Sequence, residues 1–180
     1  MADVVKNDME KIEIVKNEVV HTLSLQALCG TLSLPKVIGR SYKKIAEHMA
    51  RRGIEMAGAP YVLYRGVEWE DLNNQGKLKM LIQLFTKKWN LEIGFPLKEA
   101  GKGNQGFQEG TIPAGEYLQI LHRGSYRRVG ESYKLLWAYA LGEKLNLGPE
   151  SIEFYLNDPC VTPEGELQTL ILIPLQGRGE

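Results

Sequence analysis

The chain contains one short stretch twice, and this internal similarity constrains its fold more than any other feature. "GRSYK" at 39–43 and "GESYK" at 130–134 share four of five residues, and the two stretches lie 91 positions apart. The same spacing aligns the 26-residue segments 39–64 and 130–155, which both end in tyrosine. A fixed period in a sequence indicates a repeated structural unit. We therefore predict two copies of one unit, arranged as a pseudo-symmetric domain rather than a solenoid.

The hydrophobic patterns extend each unit to strand–helix–strand–strand. Stretches of alternating polar and apolar residues predict strand from Lys11 to Cys29. Helical spacing then continues to about Arg52, with Pro35 near the first turn and Gly53 at the end. Two such units side by side can share one sheet with both helices on one face. The sequence thus predicts an α+β fold with a largely antiparallel sheet. The matching elements of the second half are predicted at about 116–122, 126–144, 152–156 and 169–175.

These patterns also predict the domain boundaries. We expect a flexible leader at 1–10, a single domain at 11–175 and a tail at 176–180. The two halves of the domain are predicted at about 11–98 and 107–175, joined by a linker at 99–106. The "GKGNQG" at 101–106 fits G-x-G-x-x-G, but a dinucleotide site also needs a helix immediately afterwards. "FQEGTIPAGEY" follows instead, with two glycines and a proline, so we interpret this stretch as linker.

Composition excludes several classes of protein. Lys+Arg and Asp+Glu both number 22, so the formal net charge is zero and the positive excess typical of nucleic-acid binders is missing. The N-terminus has no apolar core of a signal peptide, and no apolar run reaches the roughly 20 residues of a membrane span. We therefore expect a cytoplasmic protein with Cys29 and Cys160 reduced. The three histidines and two cysteines do not fall at metal-ligand spacings, so no metal is predicted.

Three residues admit two interpretations each. In "SIEFYLND", alternation puts Glu153 and Tyr155 on one face of a strand, so Glu153 is either a solvent-exposed residue or a carboxylate in a concave site lined by tyrosines. Trp137 lies at the margin of an apolar helical stripe and belongs either to the hydrophobic core or to the lining of a ligand site. His122 lies at a strand-to-helix corner, where a structural role is favoured over a catalytic one because no triad spacing is present. In the same corner Ser125 is expected to cap the helix.

Four motifs resemble one known family. "PAGEYLQILHRGSY", "YKLLWAYA", "GPESIEFYLNDP" and "TLILIPL" are similar to the gyrase-inhibitor-like (GyrI-like) effector-binding domain, which includes the ligand-binding halves of AraC-type and multidrug-sensing bacterial regulators. The resemblance covers residues 11–175. It implies a ligand groove between the two helices, an apolar or aromatic small molecule that can be cationic, and no cofactor. The residues that it implies as lining are Tyr61, Tyr64, Phe95, Tyr126, Trp137, Glu153, Tyr155 and Leu170.

The resemblance also implies functions. Leu170 stands where many relatives have an acid, and we expect Glu92, in the matching strand of the first half, to substitute for it in part. Because only about ten residues precede the first strand, we expect a stand-alone sensor or sequestering protein without its own DNA-binding module. The alternative is a hydrolase that detoxifies strained cyclopropane-bearing alkylating compounds. Glu153 would then be the general base, and Tyr155 or Tyr64 would donate a hydrogen bond.

Overall fold

The computed structural model describes residues 11–72, 87–100 and 106–177 of the chain. The described residues form eight strands and two α-helices in one α+β domain, which confirms the predicted fold class. The elements in chain order are β1 (Glu13–Asn17), β2 (Val20–Gly30), α1 (Leu34–Arg52), β3 (Tyr61–Arg65), β4 (Lys88–Pro96), β5 (Gln108–Ile112), β6 (Gly115–Arg123), α2 (Val129–Glu143), β7 (Glu150–Tyr155) and β8 (Gln168–Pro174).

All eight strands belong to one curled antiparallel sheet in the order β1-β6-β8-β7-β3-β4-β2-β5. Counted outward from the central β7–β3 pair, the strands are β7, β8 and β6 on one side and β3, β4 and β2 on the other. Strands that correspond in the two predicted units therefore occupy equivalent places. Each edge strand pairs with a strand of the other predicted half. β1, from the first half, pairs with β6, and β5, from the second half, pairs with β2. This arrangement is the one that two strand–helix–strand–strand units related by a pseudo-two-fold axis would give. The duplication itself stays a prediction.

The register of the central pair agrees with the 91-residue spacing. Val62 lies directly opposite Glu153, and these two residues are themselves 91 positions apart. On one side of this pair Tyr64 is opposite Ser151, and on the other the Tyr155 amide donates to the Pro60 carbonyl. Residues that correspond in the two halves thus meet symmetrically across the middle of the sheet.

Both helices begin and end close to the predicted places. Proline lies in the first turn of α1, and Gly53 ends the helix with a φ of 63°, a left-handed conformation that glycine adopts readily. The second helix starts later than predicted, since residues 126–128 form a 3₁₀ turn before α2. The Ser125 side chain accepts from the Arg127 amide at 3.3 Å, so it caps this turn rather than the α-helix. Neither helix is long and apolar enough to cross a membrane.

Two features of the sheet were not predicted. The stretch from Lys11 to Cys29 contains two strands with different partners, β1 beside β6 and β2 beside β4. Strand β5 was missed because its glycine and polar residues lack a strand pattern, although β2 supplies a complete antiparallel partner. The predicted leader at 1–10, most of the predicted linker and residues 73–86 lie outside the described residues.

Candidate functional site

A buried carboxylate lies in the middle of the sheet, on the face that carries the helices. In β7, Ile152 and Phe154 contribute to the apolar cluster on the opposite face, whereas Glu153 and Tyr155 point toward α1 and α2. Only 6% of Glu153 is exposed. The structure therefore rules out the interpretation of Glu153 as a solvent-exposed residue.

Three tyrosine hydroxyls donate to this carboxylate. Tyr133, from α2, donates to Oε1 at 2.8 Å. Tyr155, from the same strand, donates to Oε2 at 2.7 Å, and Tyr64 from β3 approaches Oε2 at 3.5 Å. The Tyr133 hydroxyl also lies 2.7 Å from the Ser151 hydroxyl, which can act as its second partner. The donors come from α2, β3 and β7, so the tertiary fold assembles the site.

Glu153 has hydrogen-bond donors but no cationic partner among the described residues. Burial raises the pKa of its carboxyl, while the hydrogen bonds from Tyr155, Tyr133 and Tyr64 act in the opposite direction. The remaining opposing influence is electrostatic and comes from His122. Isolated buried charges are costly unless they are paired. The site is therefore electrostatically suited to a positively charged group.

More aromatic rings surround the carboxylate. Tyr42 of α1 packs edge-on against Tyr155 and Phe95, with ring centroids 6.5 and 5.4 Å apart. Tyr126 packs edge-on against Tyr155 at 5.3 Å and is 37% exposed. We call Glu153 with Tyr42, Tyr64, Tyr126, Tyr133 and Tyr155 the tyrosine cage.

The tyrosine cage encloses Glu153 almost completely, since only 6% of this residue is exposed. Two cavities, of about 180 and 120 Å³, lie at other places, one beside Gly53 at the end of α1 and the other between Tyr117 and Glu150. The most exposed member of the cage is Tyr126, on the turn that leads into α2. A ligand therefore reaches Glu153 only if a cage side chain moves, and Tyr126 has the shortest way to solvent.

The structure brings some of the predicted lining residues together and separates others. Tyr64, Tyr126, Glu153 and Tyr155 meet in the cage, and Phe95 borders it through Tyr42. Trp137 instead packs against the apolar core beneath α2. Tyr61 and Leu170 belong to the cluster on the opposite face of the sheet, because alternation along β3 and β8 turns them away from the helices.

The expectation that Glu92 substitutes for an acid at this site is wrong. Glu92 is opposite Leu63 in the sheet and shares the face of Tyr61, away from the cage. It accepts a hydrogen bond from the Tyr61 hydroxyl at 2.7 Å and forms an ion pair with Arg65 at 2.7 Å. Its charge is already compensated by a residue of the neighbouring strand.

Sequence reasoning missed Tyr42 and Tyr133, the two tyrosines that the helices contribute. The spacing of Tyr133 from Val129 and Leu136 fits an apolar helical stripe and hides its polar role. The signal was nevertheless present, since these tyrosines are the repeated residue of "GRSYK" and "GESYK". The repeated motif places one tyrosine from each helix in the cage.

His122 anchors the corner beside the cage, which agrees with the favoured structural role. Its Nε2 lies 3.1 Å from the Ser125 carbonyl oxygen, and its Nδ1 lies 2.8 Å from the Ser132 hydroxyl. A carbonyl can only accept, so Nε2 donates to it, and Nδ1 shares a second hydrogen bond with the Ser132 hydroxyl. The ring thus connects the end of β6 to α2. The described residues contain no group of three or more side chains that could hold a metal ion.

The fold and the enclosed aromatic site together correspond to a class of small-molecule-binding domain. The family model for the GyrI-like small molecule binding domain matches residues 83–176, more than half of the chain. The chain belongs to this GyrI-like family. A sequence search against curated proteins gave no match.

Solved structures with the same fold have low sequence identity to this chain. The crystal structure of the EcmrR C-terminal domain is 16% identical with a TM-score of 0.73, over 93% of this chain and 98% of that one. SAV2435 bound to tetraphenylphosphonium is 12% identical with a TM-score of 0.63, over 93% and 94%. A hydrolase encoded by lin2189 from Listeria innocua is 12% identical with a TM-score of 0.60, over 93% and 92%. At these identities the similarity establishes the fold alone.

Proposed function

We propose that this chain binds aromatic cations, with Glu153 as the counter-ion and the tyrosine cage as the aromatic wall. The observation that carries the proposal is the buried carboxylate with three tyrosine donors and no cationic partner among the described residues. Tyrosine faces attract cations through their quadrupole and supply apolar contact area. The tetraphenylphosphonium in the SAV2435 structure is a ligand of this chemical class.

Entry of the ligand requires the cage to open. Tyr126 lies on a turn held to the 157–167 segment by two contacts, the Ser125 hydroxyl on Glu164 and the Gly124 amide on the Leu167 carbonyl. Moving this turn would break these two contacts, the hydrogen bond between His122 and the Ser125 carbonyl, and one edge-on aromatic contact, whereas moving α2 would disrupt a packed core. We infer that the ligand displaces Tyr126 and leaves the other four tyrosines in place.

The biological role that we propose is sensing or sequestering the ligand, without sequence-specific DNA binding by this chain. The net charge of zero supports this inference, because specific DNA binding rests largely on neutralised phosphates. A specific gel shift that persists at raised salt would contradict it.

Ligand binding is best tested with the variant Glu153→Gln, which keeps the side-chain shape and removes the charge. We expect it to weaken tetraphenylphosphonium at least tenfold and to change binding of neutral triphenylphosphine oxide little, since loss of one partner of a buried charge pair costs a few kcal/mol. Isothermal titration calorimetry measures both. The matched control is Glu92→Gln, on the opposite face, which should leave both affinities unchanged. Equal weakening of both ligands by Glu153→Gln would refute the counter-ion role.

A detoxifying hydrolase is the second candidate, and the environment of Glu153 is what favours it. Burial raises the pKa of the carboxyl toward the range of a general base, and tyrosine hydroxyls lie within hydrogen-bond distance. Glu153 would take a proton from water as the oxygen bonds to a cyclopropane carbon. The strained C–C bond would break toward a conjugated carbonyl, whose oxygen would accept a hydrogen bond from a tyrosine and take its proton as Glu153 returns the water proton to that tyrosine. Mass spectrometry should show catalytic turnover to ring-opened product that Glu153→Ala abolishes; stoichiometric protection without product would leave binding as the function.

A further inference from the structure

The two helices each contribute a tyrosine to the cage, but among the described residues only one of the two hydroxyls has a hydrogen-bond partner. Tyr133 of α2 lies 2.8 Å from the Glu153 carboxylate and 2.7 Å from the Ser151 hydroxyl. Tyr42 occupies the corresponding place in α1, 91 positions earlier. Its hydroxyl is buried and has no hydrogen-bond partner among the described residues.

The sequence explains this difference. The residues 91 positions before Glu153 and Ser151 are Val62 and Pro60, and neither side chain can accept a hydrogen bond. Tyr42 packs against the apolar cluster that contains Val62, as Tyr133 contacts Glu153. The first half of the molecule therefore repeats the donor of the second half without repeating its acceptor.

The hydroxyl of Tyr42 belongs to the same electrostatic environment as the carboxylate. Burial raises its pKa most, and the nearby Tyr64, Glu153 and Tyr126 raise it further. The group is therefore neutral and remains a hydrogen-bond donor at physiological pH. A buried donor without an acceptor is costly, whereas a phenylalanine at the same position would have no hydroxyl to leave unbonded.

We propose that the ligand supplies the missing acceptor, so that the cage selects aromatic cations that also carry a hydrogen-bond-accepting oxygen beside the Tyr42 hydroxyl. This inference rests on the proposed function and narrows its ligand class. Glu153 receives the positive charge, the tyrosine rings cover the aromatic body, and Tyr42 donates to a carbonyl, ether or phenol oxygen. A simple hydrocarbon cation fills the cage but leaves the Tyr42 hydroxyl unbonded.

The test uses two probes of nearly the same shape. The ions (4-benzylbenzyl)trimethylammonium and (4-benzoylbenzyl)trimethylammonium differ only in a methylene against a carbonyl group. The full chain should bind the carbonyl probe about fivefold more tightly, the effect of one neutral hydrogen bond. In Tyr42→Phe this ratio should fall to about one, because the donor is gone. Tyr139→Phe, on an exposed position of α2, is the control and should keep the ratio.

The possible outcomes separate this inference from the function on which it rests. If both probes bind, depend on Glu153 and show the same ratio in wild type and Tyr42→Phe, the acceptor inference is wrong and the cation site stands. If neither probe binds the wild-type chain, the proposed function fails and the inference fails with it. If Tyr42→Phe loses the preference for the carbonyl probe while its circular dichroism spectrum stays unchanged, both the cation-binding function and the acceptor inference are supported.

Discussion

Two glutamates on opposite faces of the same sheet show how a carboxylate in an ion pair differs from one that is held by hydroxyl groups alone. Glu153 and Glu92 flank neighbouring residues of β3, since Val62 is opposite Glu153 and Leu63 is opposite Glu92. Both carboxylates accept hydrogen bonds from tyrosine. Within the part of the chain that the structure describes, Glu92 forms an ion pair, with Arg65 at 2.7 Å, and Glu153 forms none.

The ion pair makes Glu92 part of the contacts that hold the sheet together. Arg65 bridges Glu92 on β4 and Glu150 on β7, and so ties three adjacent strands together. The charge and the hydrogen-bonding capacity of Glu92 are already used within the sheet, so little of either remains for a ligand. On the helix face the charge of Glu153 is balanced by no lysine or arginine of the described chain, and hydroxyl dipoles are its only hydrogen-bond donors.

The largest effect on stability is expected on the Glu92 face. Arg65→Met keeps the aliphatic length and removes the charge, which leaves Glu92 with an uncompensated carboxylate whose side chain is 12% exposed. We expect a loss of about 2 kcal/mol in the free energy of unfolding, less than for a fully buried pair because Arg65 is partly solvated. Urea denaturation measures this loss. Tetraphenylphosphonium affinity should not change at the same time, and a weakened affinity would show that the two faces are not independent.

The comparison of the two helix tyrosines should produce the next largest effect. Tyr133→Phe removes the hydroxyl that donates to Glu153 and accepts from Ser151, both buried, and should cost about 1 kcal/mol of stability, since Glu153 keeps two other tyrosine donors. Tyr42→Phe removes a hydroxyl without a described partner and should be neutral or slightly stabilising. Thermal unfolding of the two variants beside wild type gives both values. Equal destabilisation by the two substitutions would show that Tyr42 does have a partner in the folded protein.

The sequence predicted the fold better than the site, for identifiable reasons. Alternation in "SIEFYLND" and the 91-residue spacing are local or internal signals, and they correctly predicted β7 and the α+β class. Alternation along β3 and β8 separates the residues of each strand into two faces. Which of these faces meets the helices depends on the tertiary pairing, so alternation alone did not show that Tyr61 and Leu170 face away from Glu153.

Tyr42 and Tyr133 show a second limit of what the sequence can predict about the site. Both fit an apolar helical stripe, and helical periodicity cannot distinguish a core tyrosine from one whose hydroxyl reaches a carboxylate on another strand. Only the position of α2 over the sheet establishes that Glu153 lies within reach of Tyr133. Likewise, strand β5 is stabilised by its pairing with β2 rather than by its own residues.

The smallest expected effect is a dependence of stability on pH that distinguishes Glu153 from exposed glutamates. Burial raises the pKa of Glu153 above its ordinary value of 4.5. Between 4.5 and the raised value the folded state holds a proton that the unfolded state has lost, so the contribution of Glu153 to stability is greatest below this window and falls as the pH rises through it. Glu153→Gln lacks this titration, so its stability relative to wild type should increase with pH.

Urea denaturation of wild type and Glu153→Gln at several pH values from 4 to 8 measures this difference. Glu131 provides a contrast of opposite sign, because the hydrogen bond from Arg128 lowers the pKa of this exposed carboxyl. Its contribution is present above 4.5 and is lost as the pH falls through its lowered pKa, so Glu131→Gln should lose stability relative to wild type at neutral pH and regain it in acid. If the wild-type and Glu153→Gln curves stay parallel across this range, Glu153 has an ordinary pKa in the folded protein. Its burial would then be fully offset by the tyrosine hydroxyls, and the carboxylate would stay charged without help from a ligand.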